Sequence, residues 1–212
     1  RDRSVSRGLG DVYKRQRAYE KKGSEPLFFF EVTMQNHSGY TDKFDNFTPD
    51  VALKDGGTDA INTYLSLMKQ TDTALESLVR YFSKQEEKTI IVFFGDHQPT
   101  DSVVEPVLQA NGKSGATLTD EEQKERYMVP FVIWANYDIA EEQDVEISAN
   151  YLSGKVMQTA GLPLSPYQQY LEEFRQEIPV ISAEETRYTD ESVSGEDTLL
   201  SYQKLQYYML FQ

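Results

Sequence analysis

Thr89–Thr100 reads TIIVFFGDHQPT, and its reading decides the fold. Thr89–Phe94 is apolar, rich in β-branched and aromatic side chains, and predicts a buried strand. Gly95 ends the run, and Asp96 and His97 follow at once. The chain holds two histidines, and the other, His37, stands just past a second apolar run in Phe28–Tyr40, FFFEVTMQNHSGY. Both imidazoles are therefore expected at strand tips. Open α/β sheets hold their ligands at the carboxyl ends of the strands.

Pro26–Met34, PLFFFEVTM, is nearly continuous in apolar residues and reads as a strand buried on both faces. Between the two strands lies a long helix opening at Thr58, with Asp59 in its first turn, where the dipole favours negative charge. Ile61, Tyr64, Leu65, Met68, Leu75, Leu78, Val79 and Phe82 form one apolar stripe along it to about Lys84. Strand, helix, strand with short links is a βαβ unit, whose right-handed crossover makes the strands parallel. Parallel strands end on one edge. His37 is thus expected beside Asp96 and His97, about 5 Å away across the ladder if the strands are neighbours.

Outward from this unit, Gln35–Gly57 reads as a loop pinned by Tyr40, Phe44 and Phe47. Ser102–Thr119 reads as a mobile loop with Gly112 and Gly115, followed by a short acidic helix over Asp120–Glu125. Val129–Ala135, VPFVIWA, predicts a third strand, with Pro130 near its start. A helix capped at Ser148 or Asn150 is expected to end at Gly161. Pro166 opens another through Glu177, and Pro179 stops it. Ala183–Asp197 is acidic and reads as exposed, and Leu199–Phe211 as a final amphipathic helix. Arg1–Gln16, RDRSVSRGLGDVYKRQ, is basic, without apolar period, and looks like a non-native or disordered arm. The domain expectation is an arm at 1–16, the body at 17–182, and an acidic loop plus terminal helix at 183–212.

The net charge of −14 leaves no basic surface for a nucleic acid. It does not exclude a phosphate substrate, because one metal ion reverses the local field. Without cysteine, disulfides and thiolate metal sites are excluded. No run reaches the roughly 20 apolar residues of a membrane span.

Asp96 offers a hard anionic oxygen and His97 a borderline nitrogen, a pair suited to Mn²⁺, Zn²⁺ or Mg²⁺. The bland alternative is a loop aspartate capping local amides beside an incidental histidine. His37 at a strand end can donate to a phosphoryl oxygen, steady developing charge, or protonate a leaving group. Its alternative is an imidazole satisfied by a loop carbonyl. Ser38 and Ser102 lie near histidines, but no G-x-S-x-G elbow exists, and Gly56–Gly57 lacks the rest of a phosphate loop. Asp72 reads as a solvent-facing carboxylate, and Trp134 as core.

FFFEVTMQNHSGY, QTDTALESLV, TIIVFFGDHQPT and VPFVIWAN, in that order, resemble the sulfatase-like catalytic domain of lipoteichoic acid synthases and related phosphoglycerol transferases, in the alkaline phosphatase superfamily. SANYLSGKVMQTAGLPLSPYQQYLEEFRQEIPVI and LLSYQKLQYYMLF resemble a Gram-positive branch of it, so the resemblance covers residues 26 to 212. It implies an α/β sandwich with a mostly parallel mixed sheet flanked by helices, its amino-terminal part missing here. It implies a threonine nucleophile that attacks a phosphatidylglycerol-like lipid and passes phosphoglycerol to a glycan or teichoic-acid acceptor. Asp96 and His97 are implied as ligands of a divalent ion, usually Mn²⁺, and His37 as a contact of the phosphoglycerol head. The nucleophile, a glutamate ligand and a substrate arginine are expected upstream, so this chain alone is expected to be inactive and to bind metal weakly. The parent is expected on the extracytoplasmic face of the membrane, tethered by an amino-terminal helical bundle. A sulfatase or phosphodiesterase of the same superfamily is the nearest rival. A non-catalytic binding module on a degenerate sheet domain is the rival from another class; His37 and His97 on different faces would favour it.

Overall fold

The computed structural model describes residues 7–37, 39–43, 46–54, 57–182, 185–190 and 195–211, with side chains from Val12 onward. Ser38, Phe44 and Gly56, discussed above, lie outside them. Helices dominate: α1 (Arg7–Lys21), α2 (Asp59–Phe82), α3 (Asp101–Ala110), α4 (Asp120–Glu125), α5 (Leu152–Thr159), α6 (Pro166–Glu177) and α7 (Glu196–Phe211). The strands are β1 (Ile90–Phe94), β2 (Phe131–Ala135) and the two-residue β3 (Val180–Ile181) and β4 (Thr186–Arg187). Helix α1 runs through the boundary drawn at residue 16.

The expected parallel sheet is corrected. Among the described residues both sheets are two-stranded and antiparallel, β1 with β2 and β3 with β4. In β1–β2, Ile90 faces Ala135 and Phe94 faces Phe131. The crossover rule fixes handedness only for strands that pair in parallel, and the order of strands in a sheet is not written in their apolar runs. Residues 26–34 form no strand, and Phe28, Phe30, Val32 and Met34 are exposed. Their direction is nonetheless the expected one. At one end Lys22 Nζ donates to the Glu25 carbonyl (2.9 Å) and to Glu87 (2.7 Å), tying the approach to this segment to the approach to β1. At the other end His37 meets His97. The two segments begin together and finish together without a ladder between them.

Helix α2 forms as its stripe requires. The Thr58 hydroxyl caps it by accepting from the Ile61 N–H. One end of α2 packs on α1, with Val12, Ala74, Leu78 and Phe82 buried together and Tyr19 edge-on to Phe82. Its other end buries Ile61 and Leu67 with Tyr40 and Val103. The expected loop after Ser102 is instead helix α3 at its start. Val103 is buried, with Val104 and Leu108 half-buried, and this packing holds the helix in spite of Pro106. Helix α4 carries a capping box between Thr119 and Glu122, and α6 another between Ser165 and Gln168. Tyr151, Leu171, Phe174, Ile178 and Tyr202 form a separate core that docks α7 on α6. The acidic stretch after Ala183, expected as an open loop, contributes β4. No helix among the described residues is long and apolar enough to cross a membrane.

Burial raises Tyr40, Tyr151 and Tyr167 to about 12. A phenol that ionises later in the folded chain than in the unfolded one makes the native state hold more protons above pH 10. Stability is therefore fully present below pH 10 and falls as the pH rises toward 12. Equilibrium urea unfolding followed by circular dichroism is expected to give midpoints that decline through this window. The share of tyrosinate absorbance that comes from these three phenols should rise with unfolding rather than before it.

Candidate active site

Each sequence-predicted residue sits on a loop held by α2, β1 or β2. Gly95 leaves β1 with its N–H bonded to the Pro130 carbonyl at 3.1 Å. A Cβ there would lie 3.1 Å from the Val129 Cβ, so the two segments approach closely and a side chain would have to push Val129 aside by a few tenths of an ångström. The Gln98 amide donates to the Met128 carbonyl and holds the far side of the same loop.

Asp96 and His97 are oriented by the backbone between these anchors. Asp96 Oδ1 accepts the His97 N–H at 3.0 Å. His97 Nδ1 lies 2.8 Å from the Gln98 carbonyl, which can only accept, so Nδ1 carries the proton. In the neutral ring this leaves Nε2 as a lone-pair donor, and it faces Asp96 Oδ2 at 3.6 Å. In that tautomer the carboxylate and the lone pair have no proton between them, and a cation bound there would satisfy both. Both side chains are mostly exposed, so the pair meets solvent. The carbonyl on Nδ1 is the usual outer partner that fixes a metal-binding imidazole.

His37 joins them. Its ring stands edge-on to His97 with centroids 6.2 Å apart. Its N–H closes a turn on the Met34 carbonyl (3.3 Å), and the preceding residues are tied to α2. Asn36 Nδ2 donates to Thr71 Oγ1 at 2.9 Å, and Gln35 Nε2 donates to the same oxygen at 3.3 Å. On the other side Tyr40 donates its hydroxyl to the Asn36 carbonyl at 2.8 Å and stacks edge-on with Tyr64. Burial chiefly, then the charges of Tyr64 and Asp96, hold the Tyr40 phenol neutral. Gly39, at φ +114°, provides the left-handed turn between His37 and Tyr40.

The structure thus brings His37, Asp96 and His97 to one rim. Asp72 is exposed, and Ser102 bonds to Thr100, away from any base–nucleophile arrangement. Gln35, Asn36 and Thr71 hold the His37 loop, and the sequence signal for them was weak: three uncharged polar residues, one of them inside a helix. As a test of metal fit, the donor chemistry of Asp96 and His97 suits two positions around a divalent ion. Among the described residues no group of three or more histidine, cysteine, aspartate or glutamate side chains gathers to complete a shell.

A carboxylate and an imidazole thus follow a strand tip, with a second imidazole beside them. Residues 10–162 match the family described as Sulfatase, and the chain belongs to that family, within the alkaline phosphatase superfamily. It is similar to a Rhizobium meliloti (strain 1021) protein whose name refers to modification of cyclic beta-1,2-glucan, with 28% identity over 152 residues. That match covers 69% of this chain and 24% of the relative. Among solved structures it resembles the Streptococcus pyogenes phosphoglycerol transferase GacH in complex with sn-glycerol-1-phosphate, at TM-score 0.58 and 20% identity. The likeness covers 82% of this chain and 44% of that one, and it shows the fold.

Proposed function

We propose that the chain is the carboxy-terminal part of the catalytic domain of a metal-dependent phosphoglycerol transferase, which moves phosphoglycerol from a phosphatidylglycerol-like lipid to a cell-envelope glycan or teichoic-acid acceptor. The single observation that carries this is the convergence of His37, Asp96 and His97, remote in sequence, on one solvent-facing rim. Asp96 and His97 would hold a divalent ion, Mn²⁺ by preference, with Mg²⁺ or Zn²⁺ as alternatives. Such an ion stabilises charge on a phosphoryl oxygen and on an attacking oxygen. His37 faces the phosphate end of the substrate, where an N–H donor compensates charge on a non-bridging oxygen. The similarity to a transferase solved in complex with sn-glycerol-1-phosphate supports this choice over a sulfate ester.

Two donors do not complete a metal shell, and the chain spans less than half of either relative. In this reading the nucleophile and the remaining ligands belong to other residues of the parent protein. The same reading puts the parent's work on the extracytoplasmic face of the membrane. With diamagnetic Mg²⁺, sn-glycerol 1-phosphate is expected to shift the His37 ring signals, while with Mn²⁺ a phosphodiester such as glycerophosphoglycerol is not turned over. Turnover abolished by His97→Ala would locate the nucleophile inside the chain and overturn that division. Stronger perturbation of His37 by a simple sulfate ester than by glycerol phosphate would favour a sulfatase.

A further inference from the structure

We propose that Thr71, on the inner face of helix α2, is the positioning residue for His37. The geometry is a clamp with Asn36 as its joint. Thr71 Oγ1 accepts from Asn36 Nδ2 (2.9 Å) and from Gln35 Nε2 (3.3 Å). Its own proton has two nearby acceptors, the Leu67 carbonyl (3.1 Å) and Asn36 Oδ1 (3.3 Å). Given to Leu67, one turn back along α2, that proton leaves both lone pairs for the two loop amides. One hydroxyl then has every hydrogen-bonding capacity in use, and it fixes two consecutive loop residues to a helix.

His37 is the next residue. Its exposed ring cannot be held by burial. The Asn36 backbone is held from the opposite side by the Tyr40 hydroxyl. With the Asn36 side chain on Thr71 and its carbonyl on Tyr40, the peptide joining Asn36 to His37 has little freedom to rotate, and the imidazole is delivered beside His97. Thr71 acts on the ring indirectly, through Asn36 first and Gln35 second.

The value of such a clamp is in population. If the loop spends only a fraction of its time with His37 at the rim, apparent affinity for a phosphate ligand falls by that fraction. Loss of one or two neutral hydrogen bonds is worth roughly three- to tenfold in that population. The inference rests on His37 facing phosphate, as proposed above, only for its consequence on binding. The placement of the ring stands by itself.

The two-histidine composition makes the test direct, because imidazole proton spectra of the full 212-residue chain contain two ring systems. The wild-type chain is expected to give a nuclear Overhauser cross-peak between the His37 and His97 rings. Thr71→Val, which keeps the shape and removes the hydroxyl, should lose it. Thr71→Ser should keep it, and Asn36→Ala, which cuts the clamp from the loop side, should lose it with α2 intact by amide chemical shifts. Titration with sn-glycerol 1-phosphate should then show about three- to tenfold weaker binding for Thr71→Val and near wild-type binding for Thr71→Ser. A cross-peak that survives in both Thr71→Val and Asn36→Ala, or is missing from the wild type, overturns the proposal. A cross-peak that follows the predicted pattern while glycerol phosphate binds none of the proteins retains Thr71 as the positioning residue and overturns instead the phosphate role of His37.

Discussion

Replacing His97 by alanine, or Asp96 by asparagine, is expected to abolish saturable binding of Mn²⁺ by this chain. The two donors, Nε2 and Oδ2, are the pair that the loop turns toward each other at 3.6 Å. Removing a group that merely supports a metal ligand costs roughly 10- to 100-fold in affinity. Removing one of two ligands should cost more, because a single exposed side chain then competes with water alone. Paramagnetic broadening by Mn²⁺ gives the measurement: in the wild type the His97 ring signals should broaden first, with His37 following through proximity. In Asp96→Asn both should sharpen to the level seen with bulk Mn²⁺. Zn²⁺ should bind more tightly than Mn²⁺ at the same pair, since nitrogen–oxygen sites follow the Irving–Williams order, so affinity in the isolated chain does not rank the physiological metals. Equal broadening of His97 in the wild type and in Asp96→Asn would remove the carboxylate from the site. It would leave the bland alternative, an aspartate whose work is to accept the His97 N–H.

The local elements were largely legible, and the site more so than the sheet. The stripe on α2, the short helix over Asp120–Glu125, the helix opened by Pro166, and the apolar runs Thr89–Phe94 and Val129–Ala135 are short-range patterns, and each yields its element within the expected stretch. Strand pairing is a different kind of fact. Nothing in TIIVFF or FVIWA states which neighbour it takes, and the structure joins them antiparallel. Pro26–Met34 reads as a doubly buried strand, yet it lies exposed, because an apolar run specifies a preference for burial and not the surface that provides it. The meeting of His37 with His97 survived the loss of the ladder for a simple reason. It needs only that two segments share their starting and finishing points, which the Lys22 contacts and the loops at the far end secure. Thr71 was not legible, because a threonine within a helix carries no signal until the partner loop is placed against it.

Truncating Ile61 to alanine is expected to destabilise the chain by about 2–5 kcal/mol, the range for large-to-small changes at fully buried aliphatic positions. Ile61 is completely buried among Tyr40, Leu67 and Val103. Those neighbours come from three places that matter to the site: Tyr40 from the His37 loop, Leu67 from the turn of α2 that carries Thr71, and Val103 from the first turn after the His97 loop. A cavity at Ile61 therefore loosens both loops at their common root. Truncating Phe174, buried in the separate core of α6 and α7, should cost a comparable amount, about 3–5 kcal/mol, with no neighbour shared with either loop. The two variants should look alike in a melting curve, each lowering Tm by on the order of 5–15 °C for a chain of this size. They should differ well below their transitions. Amide exchange in the 35–42 and 96–103 segments is expected to accelerate in Ile61→Ala and to stay near wild type in Phe174→Ala, because local opening follows local packing. If Phe174→Ala loosened those segments as much as Ile61→Ala, the rim would depend on cooperative stability of the whole chain, and the small core beneath the histidines would have no special part in holding them together.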